Sequence, residues 1–142
     1  MNVTVLLAVV SGVLTYVLGQ FALELVIESV YETKRTIEQI SHSLIAYAHV
    51  INSPGFASQE LLNETSEHLR KLSSQLIGHL YLVPQYDLTA WVFRLPSRDK
   101  MLLATGELIG LANNVFRSGD KTQERIDKRI KNIRDSLGIY ST

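Results

Sequence analysis

Arg35 and His42 stand seven residues apart in the uninterrupted stretch Arg35-Thr36-Ile37-Glu38-Gln39-Ile40-Ser41-His42. On a helix, seven residues make two turns, so both side chains leave the same face. Such a pair suits a phosphate ester: the guanidinium stabilises charge building on phosphorus, and the imidazole moves a proton. Glu38 with His42, and Glu64 with His68, have the i, i+4 spacing of two metal ligands. Two ligands do not complete a site, and pairs of this kind are ordinary on a solvated helix face. His42 and His49 share a face opposite the apolar one. His79 lies near an apolar seam and reads as a hydrogen-bonded core histidine. The chain has no cysteine, which excludes disulfides, thiolate catalysis and cysteine-based zinc sites. It has no glycine-rich phosphate loop, nucleophile elbow or metalloprotease helix. No cofactor and no metal is expected.

At its widest spacing, Arg35 to His42 resembles the arginine-to-histidine motif of the HEPN ribonucleases, small helical bundles that cleave RNA at a dimer interface. The resemblance covers eight residues, and Thr36 departs from the polar residue typical after the arginine. It implies an alternative in which Arg35 and His42 are catalytic. The chain otherwise carries no specific nucleic-acid signal. Its 14 basic and 14 acidic residues cancel, so no net field draws a polyanion. Acids cluster over residues 24–67 and bases over residues 117–134, and the two groups are expected to pair within one bundle.

These residues must be positioned by helices, and the first of them meets a different solvent. Val3 to Leu23 holds no charged side chain. As a helix it rises about 31 Å, against a hydrocarbon core of about 30 Å. No basic n-region precedes it and no small-residue cleavage site stands out after it, so a retained transmembrane helix is expected over residues 1–23 rather than a signal peptide. The first basic side chains, Lys34 and Arg35, follow the span, which favours a single-pass topology with a cytoplasmic C-terminal domain. Within the span, Ala8, Gly12, Thr15, Gly19 and Ala22 recur at steps of four and three. Such a stripe lets helix backbones approach closely in lipid, so a homo-oligomer is a candidate assembly.

Residues 24–142 read as an all-α domain, an antiparallel bundle of about four long helices continuing from the span. Leu23, Val30, Ile37, Leu44 and Ile51 recur every seven residues, with Val26, Ile40 and Tyr47 beside them. They predict that the first helix runs on to Asn52, where Pro54-Gly55 breaks it. Ser58 caps a second helix to about Leu82, with Leu62, Leu69, Leu72, Leu76 and Val83 as its seam. A short helix or turn covers Asp87 to Leu95. Ser97 opens a third long helix, with Met101, Leu102, Leu108, Ile109, Ala112, Val115 and Phe116 on its apolar side. Asp120 caps the last helix, Ile126, Ile130, Ile133 and Leu137 form its stripe, and Gly138 ends it.

Helix lengths make one further expectation. The second helix returns toward the bilayer, so the aromatic turn after it, with Tyr81, Tyr86, Trp91, Phe93, Arg94 and Arg98, is expected at the membrane interface. The competing expectation is that Trp91 and Phe93 plug the end of the bundle.

The stretch Val9 to Gln20, with the helix on to Tyr47-Ala48-His49-Val50, resembles a group of uncharacterised bacterial membrane proteins with one N-terminal span and a helical cytoplasmic part. This resemblance implies a bacterial inner-membrane setting and no particular activity. In general plan alone, the chain resembles the small pore-forming membrane accessory proteins of RNA-targeting CRISPR systems, which implies an oligomeric pore as another alternative. The leading expectation from the residues is a membrane-anchored interaction or scaffold module. Its partners would be the lipid bilayer, a second copy of itself and a protein still to be identified.

Overall fold

The computed structural model describes residues 2–53, 56–119 and 121–140. The chain is all-helical, with no strand among these residues. The helices are α1 (Val3–Ala46), α2 (Ala48–Ile51), α3 (Gln59–Leu82), α4 (Tyr86–Phe93), α5 (Arg98–Asn114) and α6 (Thr122–Leu137).

The 44 residues of α1 extend about 66 Å as one rod. It ends sooner than its apolar repeat predicts. Tyr47 turns aside at φ −95°, ψ 11°, and α2 adds a single further turn. The expected breaker, Pro54-Gly55, lies outside the described residues. Ser58 caps α3 as predicted, its Oγ accepting from the Leu61 N–H at 3.4 Å. Val83 leaves that helix in extended conformation, as a residue before proline tends to. Ser97 precedes α5 but makes no side-chain cap bond. The predicted Asp120 cap lies outside the described residues, and α6 follows Lys121. Gly138 ends α6 at φ +69°, where the Ile139 N–H closes on the Arg134 carbonyl. A left-handed residue there is the usual way to satisfy the last carbonyls of a helix.

Packing follows chain order. The second half of α1 lies on α3, α3 on α5, and α5 on α6. The predicted seam of α3 is buried throughout, and so are Ile126, Ile133 and Leu137 of α6. The apolar side of α5 needs correction. Met101, Leu108, Ala112 and Val115 are buried, but Leu102, Ile109 and Phe116 are exposed. Leu102 and Ile109, spaced by seven, lie on a different side of the helix from the buried residues, and Phe116 lies just beyond its end. On α1, Leu23 is exposed, while Thr33, Thr36 and Ser43 are buried with Val30, Ile40 and Leu44. Hydroxyls can enter a helix interface when they bond their own backbone. Thr33 donates to the Ser29 carbonyl at 2.8 Å, Ser43 to Gln39 at 2.7 Å and, within α3, Thr65 to Leu61 at 2.8 Å.

The expected pairing of the acidic front with the basic rear does not occur. The ion pairs among the described residues are Arg35–Glu32, Arg98–Asp87 and Arg129–Glu107. The basic helix α6 rests mainly on α5, which leaves its charges remote from most of α1 and α3. The third pair is the most enclosed. Glu107 accepts from Arg129 and, at 2.7 Å, from Asn132. The guanidinium reaches it by lying flat over Gly110, where a Cβ would collide with it. Gly106, one turn earlier on the same helix, faces open space.

These two glycines should respond differently to the same change. Gly106→Ala should stabilise by about 0.5–1 kcal/mol through helix propensity. At Gly110 the added Cβ shifts the flexible guanidinium end of Arg129 off Glu107, and loss of that partly exposed pair, about 0–1 kcal/mol, cancels most of the gain. Thermal melts of detergent-purified protein by circular dichroism should therefore rise for Gly106→Ala and change little for Gly110→Ala.

Candidate functional site

Arg35 and His42 do share a face, and that face borders α3. Together with Glu38, Gln39 and Ser43 of α1 they line an open cavity of about 460 Å³, whose far wall is His68, Lys71, Leu72 and Gln75. Beside this wall, Thr36 and Ser43 of α1 are buried against α3.

Three side-chain hydrogen bonds cross this interface. His68 Nε2 lies 2.8 Å from Ser43 Oγ. The single hydroxyl proton of Ser43 is already committed to the Gln39 carbonyl, so Ser43 accepts and His68 donates from Nε2. That leaves Nδ1 as the basic nitrogen of His68. Its ring also packs against Tyr47, centroids 5.3 Å apart, and Tyr47 donates to Glu64 at 3.3 Å. The sequence reading of Glu64 and His68 as a solvated pair holds for Glu64, which is exposed, and is corrected for His68, which is half-buried against Ser43 and Tyr47. Toward the other end, His79 Nε2 is 2.9 Å from Thr36 Oγ1. This matches the expectation of a hydrogen-bonded histidine near the apolar seam.

The cavity sets a guanidinium, an ammonium and two imidazoles around an open floor, with Glu38 among them. Arg35 is not wholly available to a ligand, since it pairs with Glu32 at 3.6 Å. His68 and Lys71 joined this group only through tertiary structure. The signal for His68 was its place on α3 opposite Ser43 of the antiparallel neighbour, which requires knowing the register. Among the described residues, no group of three histidines or carboxylates converges as metal ligands would.

The remaining predicted residues occupy two other places. Ala8, Gly12, Thr15, Gly19 and Ala22 all lie on the exposed first half of α1. Gly12 and Gly19 have nothing near them, and Thr15 bonds back to the Ser11 carbonyl at 2.9 Å. The aromatic turn divides. Tyr81 and Trp91 are 81% and 80% exposed, and Arg94 and Arg98 are also exposed. Trp91 is thus outside the bundle end that it was alternatively expected to plug. Tyr86 is corrected to the core at 2% exposed, its hydroxyl donating to the Pro96 carbonyl at 2.7 Å. Burial pushes its pKa up to about 12, with Arg98 opposing and Asp87 reinforcing the shift. Phe93 is half-buried against the core.

Comparison with known proteins adds no relative: no family model, curated protein or solved structure matches this chain.

The His79 contact carries a pH signature. Burial lowers its pKa from the ordinary 6.5, with the Glu32 carboxylate partly opposing. The unfolded chain therefore takes up this proton before the native one does. The stability owed to neutral His79 is complete above about pH 6.5 and is lost as pH falls toward the lowered native value. Chemical denaturation at pH 7.5 and 5.5 should show a loss at the lower pH, and His79→Gln should shrink that difference.

Proposed function

We propose that the chain is a membrane-anchored helical scaffold that self-associates or docks a partner and performs no chemistry of its own. The observation that carries this reading is the division of α1. Its apolar window has mean hydropathy 2.0, is long enough to cross a membrane, and has no residue buried in the fold. The same helix then continues without interruption into the interface with α3. A soluble protein would cover such a surface, and a bilayer does so without a partner helix. The proposed setting is a bacterial inner membrane, crossed once, with residues 24–142 in the cytoplasm.

Two surfaces support an assembling role. One is the small-residue stripe from Ala8 to Ala22, which offers a neighbouring helix a close approach in lipid. The other is the exposed side of α5 with Leu102 and Ile109, together with Phe116 just past its end.

A second reading, the HEPN-like ribonuclease, is favoured by one observation: Arg35 and His42 line the same open cavity as His68 and Lys71. On that reading Arg35 would hold the phosphate and His42 would move the proton.

The anchor is tested by carbonate washing of membranes from expressing cells. The full chain should stay in the pellet and need detergent for release, and its appearance in the supernatant would end the anchor reading. In detergent, Gly12→Leu with Gly19→Leu should reduce the oligomer mass seen by light scattering. An unchanged mass would assign assembly to the bundle.

The two readings part on purified protein and a labelled RNA. Arg35→Ala and His42→Ala should leave melting temperature within about 0.5 kcal/mol of wild type in stability terms, since both side chains are exposed. Cleavage by wild type that both substitutions abolish would replace the scaffold by the nuclease.

A further inference from the structure

The helix α4 is held as a rigid platform that turns its apolar side outward. Tyr86, Thr89 and Ala90 face the core. The Thr89 hydroxyl bonds the Pro84 carbonyl at 2.7 Å, and the Leu95 N–H bonds Ala90 at 2.9 Å. Both flanking residues, Gln85 and Arg94, sit in the left-handed region at φ 46° and 55°. That conformation costs a non-glycine residue about 1–2 kcal/mol, which the surrounding bonds must over-determine. The face so fixed presents Leu88, Trp91 and Val92, which are 60%, 80% and 55% exposed. The rest of the fold leaves that side uncovered.

The position of α4 identifies the occupant. Thr36 meets His79, so α3 runs from that level back toward the apolar half of α1, and α4 then packs on α1. Val26 and Val30 are the lowest α1 residues packed on the core. Val26 is three residues, about 4.5 Å along the axis, beyond Leu23, where the uncharged run ends. The headgroup layer is about 5–7 Å deep on each side of the hydrocarbon. The bundle therefore stands on that layer with α4 at its foot. The charges around this foot are mixed, with Glu24 and Glu28 exposed on α1 and Asp87 on α4 paired with Arg98. Beside α4, Arg94 and Lys100 line one cavity, whereas Arg134, which shares it, also lines a cavity with Leu44 and Asn52 toward the far end of α1 and stands well above this level. Basic side chains at this depth are drawn to anionic headgroups.

We infer that α4 is a second, peripheral membrane contact: Leu88, Trp91 and Val92 enter the interfacial layer of the bilayer crossed by α1, and Arg94 and Lys100 favour anionic phospholipid there. This inference rests on the anchor reading, and it concerns lipid rather than a second copy of the chain or a protein partner. It fixes the bundle to the membrane at two points, whereas a single span would leave it free to swing. Tryptophan prefers this depth because its ring is apolar and its N–H needs a partner.

Trp91 is the only tryptophan in the chain, so its emission reports this contact alone. Full-length protein is reconstituted into vesicles of phosphatidylcholine with and without phosphatidylglycerol, each carrying lipids nitroxide-labelled either near the headgroup or deep in the acyl chain. Flotation establishes insertion independently. Trp91 should be quenched at least twofold more by the shallow label than by the deep one, and more strongly in anionic vesicles. Leu88→Asp with Val92→Asp, both at exposed positions, should remove most of the quenching while the protein still floats. Arg94→Glu with Lys100→Glu should abolish the preference for anionic lipid. A protein that floats but whose Trp91 is quenched by neither label overturns the inference and leaves the anchor standing. Emission already blue-shifted in detergent and insensitive to both labels would mean a protein surface covers α4, which also overturns it. Failure to float would remove the anchor and this contact together.

Discussion

Ser43 and Thr36 reach across to His68 and His79, and the antiparallel register of α1 against α3 depends on those two bonds. A slip of α3 by one residue would rotate its buried face by about 100° and leave two half-buried imidazoles without partners. The hydroxyls on the α1 side can enter the interface because most of them satisfy the carbonyl four residues back. The cavity bounded by Arg35, His42 and His68, the level at which α3 ends, and the placing of α4 all follow from this one registration. Such a seam differs from an aliphatic one in kind: leucines facing leucines tolerate sliding, whereas donors and acceptors on fixed backbones do not.

Much of the fold was legible in the sequence, because helices announce themselves through period and punctuation. The seam of α3, the Ser58 cap and the Gly138 stop all lie where the residues put them, and the all-helical class follows from the apolar repeats. What escaped has a common physical cause. Pattern reading scores threonine and serine as polar, so Thr33, Thr36 and Ser43 counted against the very face that is buried. Conversely, Leu102, Ile109 and Phe116 scored as core because apolar residues occur on more than one side of α5, and periodicity alone does not choose between sides. Of the site residues, Arg35 and His42 were legible as one face of one helix. His68 and Lys71 were not, since their approach is a property of register between elements. Tyr86 was misplaced because an aromatic residue beside a turn fits a core and an interface equally well until its hydroxyl finds Pro96.

Electrostatics plays a smaller part than the charge distribution suggested. The two exposed pairs, Arg35–Glu32 and Arg98–Asp87, belong to a class worth about 0–1 kcal/mol. Arg129 with Glu107 and Asn132 is more enclosed, and it joins α5 to α6. It substitutes a polar tie for apolar contact where α5 has glycine instead of a bulky side chain. The acidic face of α1 and the basic face of α6 are left free to meet other charges.

The unbroken backbone of α1 has a mechanical consequence. An α-helix transmits torsion, and each residue turns the chain by 100° and lifts it by about 1.5 Å. The number of residues between the apolar half and Val30 therefore acts as a gear. Adding or removing one would swing the whole bundle by more than a quarter turn about the axis, carrying its cavity and its exposed face on α5 toward a different azimuth. Where several such rods stand side by side, the length of that segment, rather than any residue at a contact, would decide which faces meet.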